Sequence, residues 1–143
     1  MSTSTQQFTT DKLDYEHVAK FDGAIPGNSA GRITSAAGDL VRFANGANYR
    51  FAAYWDCVPG GPCRGNHYHC EKVEVMYLIS GRLQAAYLDL DTAERFDMVL
   101  VAGDLVTVRP RLVHSYIALQ AAQVVEVATT SYEPSDTYRH VLL

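Results

Sequence analysis

Long apolar runs are missing from this chain: no stretch of about 18 consecutive apolar residues occurs, so no membrane-spanning helix is expected. Clustered basic charge is missing too. Twelve Lys and Arg are scattered among 16 Asp and Glu, for a net charge of −4. A nucleic-acid surface needs a basic patch, so no nucleic-acid partner is expected. Cysteine is scarce. Cys57, Cys63 and Cys70 form an odd set with no CxxC spacing, which excludes a zinc knuckle, a redox pair and a disulfide framework. They read as reduced thiols used in packing, with Cys63 close enough to His67 in sequence to be considered as a ligand. The polar, Ser/Thr-rich start from Met1 to Thr10 lacks the apolar centre of a secretory signal, and a cytoplasmic location is expected.

Helical periodicity is also sparse. Asp11–Lys20 is expected to form one short helix, within an N-terminal arm (1–31) that is partly loose. Residues 32–143 read as one all-β domain. Strands are expected at Arg32–Ser35, Leu40–Phe43, Tyr49–Cys57, Val73–Ile79, Arg82–Leu88, Phe96–Val101, Leu105–Val108, Ser115–Leu119 and Gln123–Thr129, separated by Gly, Pro, Asn and Asp turns. Short strands at this spacing indicate two antiparallel sheets in a sandwich or barrel. Val73–Ile79 is apolar on both faces except at Glu74. A strand covered on both sides calls for a partner or another segment against its outer face, and a homodimer is expected.

The chemistry is concentrated between Gly61 and Gly81. His67-Tyr68-His69 is followed, after four intervening residues, by Glu74, and His114 stands downstream after Gly103-Asp104 and Pro110. His67 and His69 share a face in an extended chain. Glu74 breaks that period of two, so a turn or bulge at Cys70–Lys72 is needed to aim it at the histidines. An unpaired carboxylate in an apolar strand is costly, and a cation removes the cost. Three imidazoles and a carboxylate suit a divalent transition metal with open positions, whether zinc, iron, manganese or nickel. Ser80-Gly81 is expected to be a two-residue hairpin turn. That pairing sets Glu74 opposite Tyr87 and makes Tyr87 a candidate catalytic acid. Tyr116 shares the parity of His114 and is a second candidate. Arg64 is a candidate for binding a substrate phosphate or carboxylate. Lys72 reads as a solvated charge, and His17 and His140 read as ordinary surface or core residues.

These residues resemble the cupin superfamily. Its first motif, G(X)5HXH(X)3,4E(X)6G, is matched by Gly61, His67, His69, Glu74 and Gly81. Its second, in outline GDxxxxPxGxxH, is matched by Gly103, Asp104 and His114. Here Arg109 stands at the usual Pro with Pro110 next, Arg111 at the usual Gly, and Ala118 at the usual Asn. The resemblance implies a double-stranded β-helix, a jelly-roll barrel, with the metal in its mouth. A narrower likeness runs through Arg64-Gly65-Asn66-His67-Tyr68-His69, Lys72-Val73-Glu74 and Tyr132–Tyr138. It is similar to sugar-nucleotide-modifying cupins, including the C-terminal cupin domain of capsular-polysaccharide enzymes and ketoisomerases of nucleotide-linked deoxysugars. It implies epimerisation or isomerisation next to a keto group, on a small-molecule substrate. An Fe(II) dioxygenase, a Lewis-acid cyclase and a non-catalytic binding cupin use the same ligand set. For all of them, His67→Ala or His114→Ala is expected to abolish stoichiometric metal while the barrel stays folded. Elemental analysis of the purified variants checks this, and unchanged metal content removes these residues from the ligand set.

Overall fold

In the computed structural model, which describes residues 7–143, burial alternates along Leu13–His17, Phe51–Cys57 and Arg95–Val101, whereas Glu74–Asp89, Asp104–Val108 and Leu112–Ala128 carry runs buried on both faces. The strands are β1 (Gln7–Thr9), β2 (Leu13–His17), β3 (Gly31–Ser35), β4 (Gly38–Arg42), β5 (Phe51–Cys57), β6 (Arg64–Tyr68), β7 (Glu74–Asp89), β8 (Arg95–Val101), β9 (Asp104–Val108), β10 (Leu112–Ala128) and β11 (Tyr138–Arg139). A 3-10 turn at Pro134–Asp136 precedes β11. Among the described residues no helix is long and apolar enough to cross a membrane.

Two long strands make the barrel. β7 and β10 pair antiparallel along their lengths, from Leu112 opposite Asp89 to Ala128 opposite Glu74. Both bend midway, where the register shifts between Ala118 and Val124. Each strand therefore serves two sheets. The first half of β7 and the second half of β10 lie between β9 and β5, with β2 and β1 beyond β9. The second half of β7 and the first half of β10 lie between β8 and β6, with β11 beyond β6. The two sheets enclose a core of Leu13, Leu78, Leu83, Tyr87, Leu100, Val106, Leu112 and Val124. Burial of each such aliphatic side chain is worth about 1.5–3 kcal/mol.

Two sequence expectations change here, and a third is met within the chain. Ser80-Gly81 is not a hairpin turn, because β7 continues through it. Gly81 takes φ +90°, which lets the strand bend, and a Cβ there would collide with the Ala121 carbonyl of the bent β10. Glu74 consequently pairs with Ala128 and Val108, while Tyr87 pairs with His114 and Phe96. Second, Asp11–Lys20 is not helical. Leu13 and Tyr15 alternate inward as part of β2, which is hydrogen-bonded to β9, and Leu13 is fully buried. The segment read as a loose arm thus supplies β1 and β2 to a sheet, although residues 1–6 of that arm lie outside the described residues. Third, the doubly apolar strand finds its outer cover within the chain. Val75 and Tyr77 pack with Val18 after β2, Leu105 of β9, Val41 of β4, and Phe43 and Tyr49 from the segment that follows β4. The pattern that motivated a homodimer is accounted for within one molecule.

Gly81→Ala combines a left-handed φ with a backbone collision. It is expected to cost more than about 2 kcal/mol of stability. Urea unfolding checks this, and a loss below about 0.5 kcal/mol would place the bend elsewhere.

Candidate functional site

The cluster forms where the two sheets meet at one end of the barrel. β6 pairs with β10 so that His67 and His114 are direct partners across the ladder. Opposed residues stand close enough for their side chains to touch, and the two rings meet edge to face at 4.8 Å. His69 follows β6, two residues on, with its ring 4.9 Å from that of His67. The nitrogen donors of His67, His69 and His114 all lie within 4.8 Å of one another. Glu74 arrives from the other sheet at the start of β7. The turn or bulge expected at Cys70–Lys72 is present as a bend at Cys70 and Glu71.

Hydrogen bonding sets the ring tautomers. His69 Nδ1 lies 2.7 Å from the Asp136 carbonyl, and His114 Nδ1 lies 3.0 Å from that of Leu112. A carbonyl only accepts, so both Nδ1 atoms carry hydrogen and a neutral ring leaves its Nε2 as a lone pair. Those nitrogens face Glu74, at 3.4 Å from Oε1 for His69 and 3.2 Å from Oε2 for His114. His69 Nε2 is buried without a hydrogen-bond partner. Lone pairs aimed at a carboxylate repel unless a cation lies between them. A proton on Nε2 meets the same demand, and the titration tendencies describe that pairing. Burial raises the Glu74 pKa, but His114, His69 and Lys72 outweigh it and hold the carboxyl well below its ordinary range. Burial lowers the His69 pKa, and the Glu74 carboxylate beside it reverses that to a net rise. His67 is pushed down to about 4 by burial and by its two histidine neighbours, which keeps it neutral and free to ligate. A buried orphan nitrogen, two lone pairs facing a carboxylate and a third neutral imidazole fit a divalent metal.

The other expected residues divide. Tyr116 lines the cavity, with its ring 5.9 Å from Trp55 and 6.1 Å from His114. Tyr87 does not reach the cavity as expected. It is fully buried behind Tyr116, the two hydroxyls lying 3.3 Å apart. Burial holds both phenols well above 10, and for Tyr116 the neighbouring Tyr87 adds to the rise, so each is a donor at neutral pH. Arg64 is on the cavity rim, its guanidinium 5.8 Å from the Trp55 ring and its Nε donating to the Asp56 carbonyl at 3.0 Å. Cys57 is buried in the core, and Cys63 and Cys70 lie outside the histidine cluster.

Two cavity residues were missed. Lys72, read as solvated, is 13% exposed and pairs with Glu74 Oε1 at 2.9 Å while its ammonium lies 4.6 Å from the Phe51 ring centre. Its even spacing from Glu74 was the available signal. Glu126 faces the same cavity from β10, and burial together with Glu74 raises its pKa to about 7. A lone carboxylate amid Val124, Val125 and Val127 was the sign that it pointed inward. The cavity holds about 380 Å³ and is walled by Phe51, Trp55, Met76, Tyr116 and Tyr132 besides the charged groups.

The departure at Arg111 leaves the loop conformation intact. Arg111 adopts φ 67°, the left-handed region that Gly favours. Its amide donates to the His69 carbonyl at 2.7 Å, and its guanidinium pairs with Asp91 at 2.8 Å. Arg111→Gly is expected to leave stability unchanged or raise it by up to about 1 kcal/mol, since it relieves left-handed strain and removes only an exposed ion pair. A thermal melt showing a loss beyond about 1 kcal/mol would contradict this.

No protein-family model matches the chain, and no curated protein matches it by sequence. Solved structures do match it in shape. A dTDP-6-deoxy-D-glucose 3,5-epimerase from Legionella pneumophila, in complex with dTDP-4-keto-L-rhamnose, superposes with a TM-score of 0.72 at 11% identity over 95% of this chain and 76% of that one. A dTDP-4-dehydrorhamnose 3,5-epimerase from Bacillus anthracis gives 0.70 at 11% identity over 94% and 82%. A 3,4-ketoisomerase from Thermoanaerobacterium thermosaccharolyticum, in complex with TDP-4-keto-6-deoxyglucose, gives 0.70 at 13% identity over 92% and 90%. The chain has the cupin jelly-roll fold, and the solved structures named above are of sugar-nucleotide epimerases and a ketoisomerase.

Proposed function

We propose that the protein is a metal-dependent cupin epimerase or isomerase acting next to a keto group, on a nucleotide-linked deoxysugar. The observation that carries this reading is a single cavity that holds the histidine–carboxylate cluster, a tyrosine hydroxyl and a second carboxyl group. His67, His69, Glu74 and His114 are the residues that would hold the metal. A divalent metal bound there supplies Lewis acidity toward a substrate carbonyl oxygen, the charge stabilisation that enolisation needs.

The chain's own groups divide the proton work. Tyr116 pairs with Arg64 and Ala85, and Glu126 with Ala53 and Met76, so the two side chains enter the cavity from different sheets. Glu126, outside the ligand set, is assigned to take the proton from the carbon beside the carbonyl. Tyr116, a phenol that stays protonated, is assigned to return one from the opposite side, which inverts or moves the centre. Tyr87 supports the Tyr116 hydroxyl from behind. Arg64 keeps free guanidinium donors at the rim for a phosphate oxygen.

A second reading is favoured by one observation. Lys72 is committed to Glu74, which leaves Arg64 as the cavity-lining cation with free donors among the described residues. A nucleoside diphosphate carries more negative charge than one guanidinium balances. The aromatic wall then suits an unphosphorylated aromatic or polyketide-like ketone, with the same proton chemistry used for cyclisation or isomerisation.

Incubation of the metal-loaded protein with TDP-4-keto-6-deoxyglucose in D₂O separates the readings. Deuterium is expected to enter the ring carbons flanking the keto group, with the rate falling about 10²–10⁴-fold in Tyr116→Phe and in Glu126→Gln. No exchange, together with no rise in melting temperature on adding thymidine diphosphate, removes the sugar-nucleotide substrate. Exchange with an aromatic ketone under those conditions supports the second reading.

A further inference from the structure

The segment from Thr130 to Leu143 belongs to neither long strand, yet it is fastened to the ligand-bearing part of the barrel. β11 pairs with β6, setting Tyr138 opposite Tyr68 and Arg139 opposite His67. Tyr138 stacks on Tyr68 with ring centres 5.1 Å apart. Farther on, the Asn66 carboxamide oxygen accepts the amides of Leu142 and Leu143 at 2.9 and 3.3 Å, and its nitrogen donates to the Leu143 carbonyl at 3.1 Å. Ser115 Oγ donates to the same Asn66 oxygen. The segment runs along β6 as a strap.

Asp136 occupies the place where this strap meets the ligands. Its carboxylate accepts three consecutive amides, of Cys70 at 2.8 Å and of Glu71 and Lys72 at 3.2 Å each. Those residues form the connector between His69 and Glu74, where the chain has left the β6 ladder and has no strand to take its amides. The backbone carbonyl of the same residue accepts His69 Nδ1–H at 2.7 Å. One residue thus sets the ring orientation of one ligand and the turn that delivers the next.

We propose that Asp136 is the positioning residue of the metal site, clasping the Cys70–Lys72 connector with its carboxylate while its carbonyl orients His69, so that metal affinity depends on a strap that contributes no ligand. This rests on the metal reading above. Without the carboxylate, three connector amides turn to water, the strap is no longer tied to the connector, and the carbonyl facing His69 is no longer fixed. Groups that orient a metal-bound histidine from behind govern affinity nearly as strongly as the ligands.

Cobalt(II) titration of the whole protein tests the proposal, read by the visible ligand-field band and by competition with a chelator. Asp136→Ala is expected to weaken cobalt binding about 10- to 100-fold and to change the band shape. Asp136→Asn, which keeps one acceptor oxygen, should fall between, and Ser135→Ala, an exposed change in the same turn, should match wild type. Wild-type affinity and band in Asp136→Ala overturn the clasp. Should that variant not fold, wild-type behaviour in Asp136→Asn overturns it equally. Wild type that binds no cobalt contradicts the metal reading itself. The clasp is then judged on ¹⁵N shifts of the His69 imidazole in metal-free protein: a single Nδ1–H tautomer that becomes a mixture in Asp136→Asn supports it, and the same tautomer in both overturns it.

Discussion

Two imidazole lone pairs facing one buried carboxylate form the arrangement on which the rest of this structure turns. His69 and His114 each give their Nδ1 hydrogen to a backbone carbonyl, which commits their other nitrogens to the side of Glu74. A carboxylate and two lone pairs cannot share a low-dielectric pocket by themselves. Lys72 meets part of the demand through one Glu74 oxygen. The remainder is a site for a positive centre, with His67 as a third neutral donor beside it.

The barrel exists in the form it does because two strands change sheets. β7 and β10 bend where Gly81 passes the Ala121 carbonyl, and beyond the bend each strand pairs with a new edge partner. This places Glu74 and Glu126 on one wall and His114 and Tyr116 on the other, though three of the four come from β10 and Glu74 alone from β7. The outer face of the first sheet is closed by the β3–β4 hairpin region, so the pocket is the place where charged side chains gather inside the barrel. Strands carry His67, Glu74 and His114, and the turn from His69 to Glu74 is the part held by non-local bonds to the strap.

Much of this was legible in the residue order. The spacing of His67, His69, Glu74 and His114 against their flanking glycines identified the cluster: His67 and His114 face each other across β6 and β10, and a short connector carries the chain from His69 to Glu74. Alternation from Phe51 to Cys57 gave the inward face of β5 correctly, whereas Tyr49, of the same parity, packs outside the barrel. The Ser80-Gly81 pair looked like a hairpin turn because a bend in a continuous strand needs the same glycine, and local chemistry does not tell the two apart. Tyr87 was misplaced as a consequence. Asp136 was not legible as a site residue, since its role depends on partners brought together by long-range pairing. Leu13 and Tyr15 carried a readable period of two that was masked by the charged residues between them.

X-ray absorption at the edge of the metal carried by the purified protein tests the central claim most directly, because scattering from imidazole rings counts the histidines around the ion. The expected result is one metal per chain with three imidazoles and oxygen in its shell, and loss of one imidazole in His114→Ala. A shell without imidazole scattering, or one unaltered in that variant, would contradict the account.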